Sequence, residues 1–347
     1  MLAESLDVVV GVDTHRDSHE LALLDARTGA LLGRARVAAD RGGYRQALRL
    51  AKRVGAGRAW AVEGTGAYGA GLTRFLQRQG ERVLEVERPA RRGRDGRLKD
   101  DGLDALRAGR ALLAEQAAGE PRAQGVREGL RCLLVAREAA VAERRNGLNQ
   151  LRALVLTAPE QLRGSLLGLG RGRLRKRCLA LRPGAIVDAQ LQATVLALKS
   201  CARRVELADG EAKTLERELR RRLHALCPWL LALPGVGPIS AAQVLVSWSH
   251  PGRLRSEAAF ARLAGAAPIP ACSGQLVRYR LDRGGDRLLN RALHTIIVSR
   301  RKHDPETIAY IERRQAEGKS VREAIRCLKR YLARSLFRML ETTPMAA

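Results

Sequence analysis

The stretch DVVVGVDTHRDSHELALLDARTGALLGRARVAA, residues 7–39, decides the fold of the first third of the chain. Its apolar or alternating runs VVVGVDT, HELALLD and ALLGRARVAA are separated by HRDS and ARTG, both rich in turn formers. The pattern predicts a three-stranded antiparallel meander. Working outward, a helical stretch runs from Gly43 to Val54, RAWAVEG reads as a fourth strand, a helix follows around Tyr68 to Gln79, and RVLEVE reads as a fifth strand. Strands that alternate with helices in this way predict a mixed sheet with helices packed on it.

Asp13 falls near the end of the first strand and Glu63 near the end of the fourth. If these strands are neighbours, both carboxylates leave the same end of the sheet, where α/β folds place their sites. Asp101 and Asp104 lie three apart at the start of a helix, DGLDALRAGRALLA, and share one face. Each acid also has an ordinary structural reading: a turn or cap residue after a strand, an N-cap at Asp101, an acid favoured by the dipole of a first helical turn. Glu63 inside AWAVEGTG has no capping role. Asp100 competes with Asp101, because residues 100 and 104 are also helical neighbours, and spacing does not choose between them. His15 and Asp17 suit either groups supporting Asp13 or a solvated turn. Four acids gathered from three elements repel one another unless a cation joins them, which points to a divalent metal.

The rest of the chain is strongly basic, with a formal net charge of +27 over 347 residues. Residues 1–120 hold 21 Lys/Arg against 17 Asp/Glu, and residues 121–347 hold 42 against 19, so the positive excess lies downstream. Such an excess binds nucleic acid through counterion release. A membrane surface fits less well, because the basic stretches lack the Trp/Phe/Leu face of an interfacial helix. No stretch approaches the roughly 20 apolar residues of a membrane span. The start MLAESLDVVVGVD lacks a basic segment followed by an apolar one, so a cytoplasmic location is expected. Cys132, Cys178, Cys201, Cys227, Cys272 and Cys327 show no zinc spacing and are expected to be reduced core residues.

Residues 126–156 carry Leu130, Leu134, Val141, Leu148, Leu151 and Val155 in alternating fours and threes, with Arg137 and Arg144 as polar intruders. A second run, from Leu191 to Leu226, is interrupted at Asp209 and Glu216. Two long amphipathic helices with imperfect heptad seams are predicted. Between them lies a Gly- and Arg-rich segment, expected to be irregular or short-helical. Its Arg171, Arg173, Arg175, Lys176 and Arg177 are candidate phosphate contacts, although a solvated surface is the usual fate of such runs.

LLALPGVGPISAAQVLVSW reads as helix, tight turn, helix. Gly235 and Gly237 permit close backbone approach, and the start of the second helix suits a phosphate, either as a helix-hairpin-helix grip or as an ordinary helical hairpin. Further on, Ser273 precedes Gly274 in a Pro-rich loop followed by Arg278, Arg280, Arg283 and Arg287. No His lies nearby to serve a hydrolase triad. Cations around a hydroxyl instead suit attack on a phosphodiester.

GVDTHRDSH, AVEGTGAYG and KDDGLDA resemble the three motifs of the DEDD-type insertion-sequence transposases of the IS-one-ten family. AAPIPACSG followed by GGDRLLNRALH resembles the family's C-terminal domain. The resemblance runs from about Val8 to Leu340, with Arg16 departing from the Lys that members often carry there. It implies an RNase H-like domain similar to the RuvC Holliday-junction resolvases, and a tetrad of Asp13, Glu63, Asp101 and Asp104, preferring Asp101 over Asp100. It implies Ser273 as nucleophile. It also implies a coiled-coil insert that supports oligomers, a dimer or tetramer, and contacts a structured RNA.

The expected fold is therefore α/β plus all-α. It comprises a RuvC-like mixed-sheet domain over residues 1–122, a helical coiled-coil region over 123–228, and a mostly helical C-terminal transposase domain over 229–347. The expected function is cutting and rejoining of duplex DNA by Ser273, with the tetrad holding Mg²⁺, two ions about 4 Å apart. A bridging guide RNA is the implied source of specificity, and the resemblance also implies that the tetrad and Ser273 can meet across protomers. The rival readings are a metal-dependent junction nuclease that activates water, and a non-catalytic nucleic-acid-binding protein.

Overall fold

Both faces of the first strand are apolar, so helices must cover both sides of the sheet it joins. In the computed structural model, β1 (Val8–Thr14), β2 (Ser18–Asp25) and β3 (Leu31–Ala38) form the expected antiparallel meander. The chain continues through α1 (Arg41–Val54), β4 (Arg58–Glu63), α2 (Ala70–Arg78), β5 (Arg82–Val86), α3 (Asp101–Leu113) and the two-residue β6 (Ala118–Gly119). The structure describes residues 5–86, 101–114, 118–182, 188–270, 279–281 and 284–345, of which 101, 118, 270 and 279–281 are described by backbone alone.

The six strands lie in the order β3-β2-β1-β4-β5-β6, with β1, β4 and β5 mutually parallel. Period-two alternation sorts their side chains. Val8, Val10, Val12, Trp60 and Val62 face α1 and α2, where Ala47, Leu48, Leu72 and Leu76 complete one core. Val9, Ala59, Ala61, Leu84 and Val86 face α3, whose Ala105, Leu106, Ala108 and Leu112 complete the other. The α3 backbone lies directly on β1: a Cβ placed on Gly11 would come 2.0 Å from the Ala105 carbonyl oxygen. Only glycine fits there. Near the start of β4, Arg58 and Trp60 both donate to the buried Glu81 carboxylate, at 2.6 and 2.9 Å.

This sheet unit spans residues 1–123 and also takes in His250–Leu254. The second unit, residues 124–249 and 255–347, is almost wholly helical. It contains α4 (Val126–Leu156), α5 (Glu160–Leu166), α6 (Arg171–Ala180), α7 (Ala189–Leu226), α8 (Pro228–Leu231), α9 (Pro238–Trp248) and α10 (Glu257–Leu263). A small antiparallel pair, β7 (Pro268–Pro270) and β8 (Tyr279–Leu281), precedes α11 (Arg287–His303), α12 (Pro305–Ala316) and α13 (Val321–Thr342). The sequence does not show that strand pair, because two prolines in a three-residue run disguise it.

The long helices α4 and α7 pack antiparallel. Leu130, Ala140, Gly147, Leu151 and Val155 are buried on α4, and Val195, Leu198, Ala202, Val205, Ala212, Leu219 and Leu223 on α7. Leu134, Val141 and Leu148, expected in the α4 seam, sit half-buried at its flanks. The seam instead narrows at Gly147, where a Cβ would press within 2.7 Å of Val205 Cγ2. The two short helices α5 and α6 cover one end of α7 through Leu162, Leu166, Leu174 and Cys178. Among the described residues no helix is long and apolar enough to cross a membrane. The described cysteines are free; Cys178, Cys201 and Cys227 are buried, but Cys132 is exposed, which corrects the expectation of a uniformly buried set. Burial pushes the Cys178 and Cys227 thiols up to about 11, so both are inert.

Candidate active site

The parallel register of β1 with β4 runs from Val8 opposite Arg58 to Val12 opposite Val62. Asp13 and Glu63 are therefore the next residues along on adjacent strands. Alternation places both on the face covered by α3, following Gly11 on β1 and Ala61 on β4. The two strand ends are tied together, since the Thr14 hydroxyl donates to the Glu63 carbonyl at 2.9 Å. Asp13 is 2% exposed. Its Oδ2 lies 3.1 Å from His15 Nε2, in ion-pair range but not aligned as a hydrogen bond, so this buried oxygen lacks an aligned donor among the described residues. A carboxylate so placed is costly unless a cation shares it.

Asp104 sits on α3 beside the Ala105 that touches Gly11, which brings it toward the same edge. Its Oδ1 accepts a hydrogen bond from Arg107 one turn along, at 2.8 Å. Asp101 opens α3; its side chain, and the whole of Asp100, lie outside the described residues. Among the described residues no three His, Cys, Asp or Glu side chains cluster tightly enough to hold a metal. The structure thus pairs Asp13 with Glu63 and carries Asp104 on the covering helix, with its carboxylate turned to a neighbouring arginine. Asp17 is exposed beside Arg16, as a solvated turn residue.

Behind the carboxylates, His19 is fully buried on β2 with its ring stacked on Tyr44, centroids 5.8 Å apart. Burial lowers its pKa, and the Ser18 backbone, close to the ring but not aligned with either nitrogen, offsets part of this; His15 lowers it further.

Residues 10–158 match a DEDD-type family pattern described as a transposase, and residues 227–312 match one described as the transposase IS116/IS110/IS902 family. The chain belongs to the IS110 family of transposases. It is similar to the 42 kDa protein of insertion element IS900 from Mycobacterium paratuberculosis, 28% identical over 96% of this chain and 95% of that one. It is also similar to the 43.6 kDa protein of insertion element IS110 from Streptomyces coelicolor strain A3(2), 31% identical over 42% of this chain and 36% of that one.

A transposase of the IS110 family acts on DNA, and its cations must be sorted into structural and free ones. Arg171, Arg173, Lys176 and Arg177 are exposed on α6, whereas Arg175 turns inward toward Asp209 at 3.5 Å. A shallow basic groove not singled out in the sequence lies along α7, lined by Lys213, Arg217, Arg220, Arg221 and His224 with Arg144 opposite. Lys213, Arg217, Arg221 and His224 recur every three or four positions, with Arg220 beside them, a signal present in the sequence but masked by the acids between them.

Gly235 owes its identity to packing within the helical unit: its φ is +72°, and a Cβ there would meet the Ile296 carbonyl at 2.8 Å. Gly237 faces open space, and Ser240 folds back to accept from its backbone N–H at 3.1 Å. Arg287 is exposed at the start of α11. Ser273, Arg278 and Arg283, together with the Arg280 side chain, lie outside the described residues.

Proposed function

We propose that this IS110-family transposase cuts and rejoins DNA strands through a covalent serine–DNA intermediate, assisted by Mg²⁺ held at Asp13, Glu63, Asp101 and Asp104. The observation that carries the reading is the lateral pairing of Asp13 with Glu63 at the end of two parallel strands, beneath the helix that begins with Asp101 and Asp104. The strand order 3-2-1-4-5, with only the first, fourth and fifth parallel, supports a RuvC-like, RNase H-like domain over residues 1–122. The antiparallel α4 and α7 support a coiled-coil region over 123–228, which leaves 229–347 as the transposase domain.

The buried Asp13 oxygen without an aligned donor fits a metal. Bound there, Mg²⁺ would neutralise charge on the scissile phosphate and the leaving oxygen. The chain's own residues do the rest. The Ser273 hydroxyl gives up its proton as its Oγ bonds to phosphorus. The bond from phosphorus to the 3′ oxygen breaks, and that oxygen takes up a proton as a free 3′ hydroxyl. The serine-linked 5′ phosphate then passes to the 3′ hydroxyl of another strand, which restores the serine. Arg278, Arg280, Arg283 and Arg287 follow Ser273 closely in sequence and suit the charge that develops on the phosphate.

The exposed cations of α6 and the α7 groove support contact with a structured guide RNA that pairs with donor and target DNA, in a homo-oligomer whose tetrad and serine meet across protomers. Denaturing capture of a protein–DNA adduct tests the mechanism. The adduct is expected to map to Ser273, to vanish in Ser273→Ala, and to fall at least about a hundredfold in Glu63→Gln. If Ser273→Ala still cuts DNA at the normal rate with Mg²⁺, water is the nucleophile.

A further inference from the structure

The segment His250–Leu254 lies between α9 and α10 in sequence yet packs with the sheet unit. It is a tight turn, with Gly252 at φ +78°. It is pinned beside the chain leaving β6, where His250 Nε2 lies 3.2 Å from the Pro121 carbonyl oxygen. The turn delivers Arg253, whose side chain is 11% exposed and 4.0 Å from Glu85 on β5. The next basic neighbour is Arg122. Burial first, and then the charge of Arg122, pull the Arg253 guanidinium below its ordinary range.

Arg122 reaches toward the turn that follows Glu63: its Cδ lies 4.0 Å from the position of a Cβ on Gly66. Its Nε is buried without an acceptor among the described residues. In the same turn Thr65 is 2% exposed, and its hydroxyl likewise has no hydrogen-bond partner among the described residues. Two residues brought from distant parts of the chain thus set like charges near each other in partial shelter from water, Arg122 against the turn that follows Glu63 and Arg253 beside Glu85. Like charges in such a place repel, and an anion drawn in beside Arg253, the partner of Glu85, would relieve that repulsion where Arg122 Nε has no acceptor among the described residues.

We propose that Arg122, Arg253 and Thr65 form a phosphodiester-binding site that grips the DNA backbone at the carboxylate edge of the sheet. Guanidinium forks match phosphate oxygens in bidentate fashion, and a buried hydroxyl supplies a further donor. The three act as positioning residues, holding the strand whose neighbouring phosphate enters the Asp13–Glu63 end. That purpose rests on the reading of the site given above; the binding itself does not.

The test measures binding of the full chain to duplex DNA across a salt series, in a Glu63→Gln background so that cleavage plays no part. Arg122→Gln and Arg253→Gln are each expected to weaken binding about 5- to 10-fold near 0.1 M salt, and to lower the slope of log K against log salt by about 1. Arg253→Lys is expected to restore the slope, and Thr65→Val to weaken binding a few-fold with the slope unchanged. Thermal melting reports folding, and if Arg253→Gln melts early, Arg122→Gln together with Arg253→Lys decides. Natively melting arginine variants that keep both affinity and slope overturn the proposal. Lost affinity at an unchanged slope in the arginine variants overturns it too, since for a cation that is a structural effect. A defect seen with single-stranded RNA and not with duplex DNA overturns the assignment to DNA. Retained cleavage in Glu63→Gln would sink the metal reading and leave this result standing.

Discussion

Arg144 on α4 and Asp209 on α7, each an interruption of its own apolar seam, meet at 2.6 Å. The other two interruptions do the same, Arg137 with Glu216 at 2.9 Å. Asp209 also draws in Lys213 at 2.8 Å and Arg175 at 3.5 Å, and so ties α4, α6 and α7 together. Residues that weaken each heptad pattern by itself therefore fix the register of the pair, because a shift of one turn would separate both ion pairs at once.

Removing Asp209 is accordingly expected to cost more than removing Glu216. Asp209 is 14% exposed and meets three cations, whereas Glu216 is 34% exposed and meets one. Urea unfolding should show a loss of about 1–2 kcal/mol for Asp209→Ala and at most about 0.5 kcal/mol for Glu216→Ala, with solvent screening already allowed for. Equal losses would contradict the register role.

The same carboxylate sets a pH dependence. The hydrogen bond from Lys213, and next that from Arg144, hold Asp209 down at about 2. A carboxyl depressed in the folded state adds stability that is complete above its ordinary value near 4 and disappears as pH falls through the folded value. The stability gap between the wild type and Asp209→Asn should therefore be widest at pH 5 and close between about 4 and 2. Urea midpoints at stepped pH read this directly, and a gap independent of pH would refute it.

His19 acts in the opposite part of the scale. Its depressed pKa means that the unfolded chain binds the proton more readily, so stability rises with pH and is lost as pH falls below about 6.5. His19→Phe, which keeps a ring against Tyr44, is expected to flatten the melting temperature between pH 7.5 and 5.5. A melting curve of His19→Phe that stays as pH-sensitive as the wild type would place the titrating group elsewhere.

Gly11→Ala tests how α3 is held. The added methyl meets the Ala105 carbonyl at 2.0 Å and the Gly109 nitrogen at 2.6 Å, backbone atoms that yield only if the helix lifts. A loss of about 1–3 kcal/mol is expected, as for other overpacked sites. Strand cleavage should fall further than stability, since Asp101 and Asp104 ride on the displaced helix. A variant with native stability and native cleavage would show that the contact is dispensable.

Much of this was legible in the sequence. The turn residues of HRDS and ARTG located the meander, and the change from period two to helical spacing located α1, α2 and α3. Glu63 stood out because a charge ending an apolar strand has no local use. Other features were illegible for physical reasons. The β7–β8 pair is too short and too proline-rich to show alternation, and the exposed Cys132 carries no local mark of its position. The α7 groove hides because its cations are interspersed in sequence with acids, of which Glu216 shares the lining.

By itself, the sequence determined which residues form strands and helices, the acids available for a metal, and the excess of cations that draws a polyanion, since all of these rest on short-range pattern and composition. Tertiary structure alone decided which of them meet. Parallel register put Asp13 beside Glu63, antiparallel packing matched Arg144 with Asp209, and the return of His250–Leu254 set Arg253 against Arg122. Each pairing joins residues dozens or more apart along the chain, where local propensity carries no information and only the burial of apolar surface between elements fixes the distance.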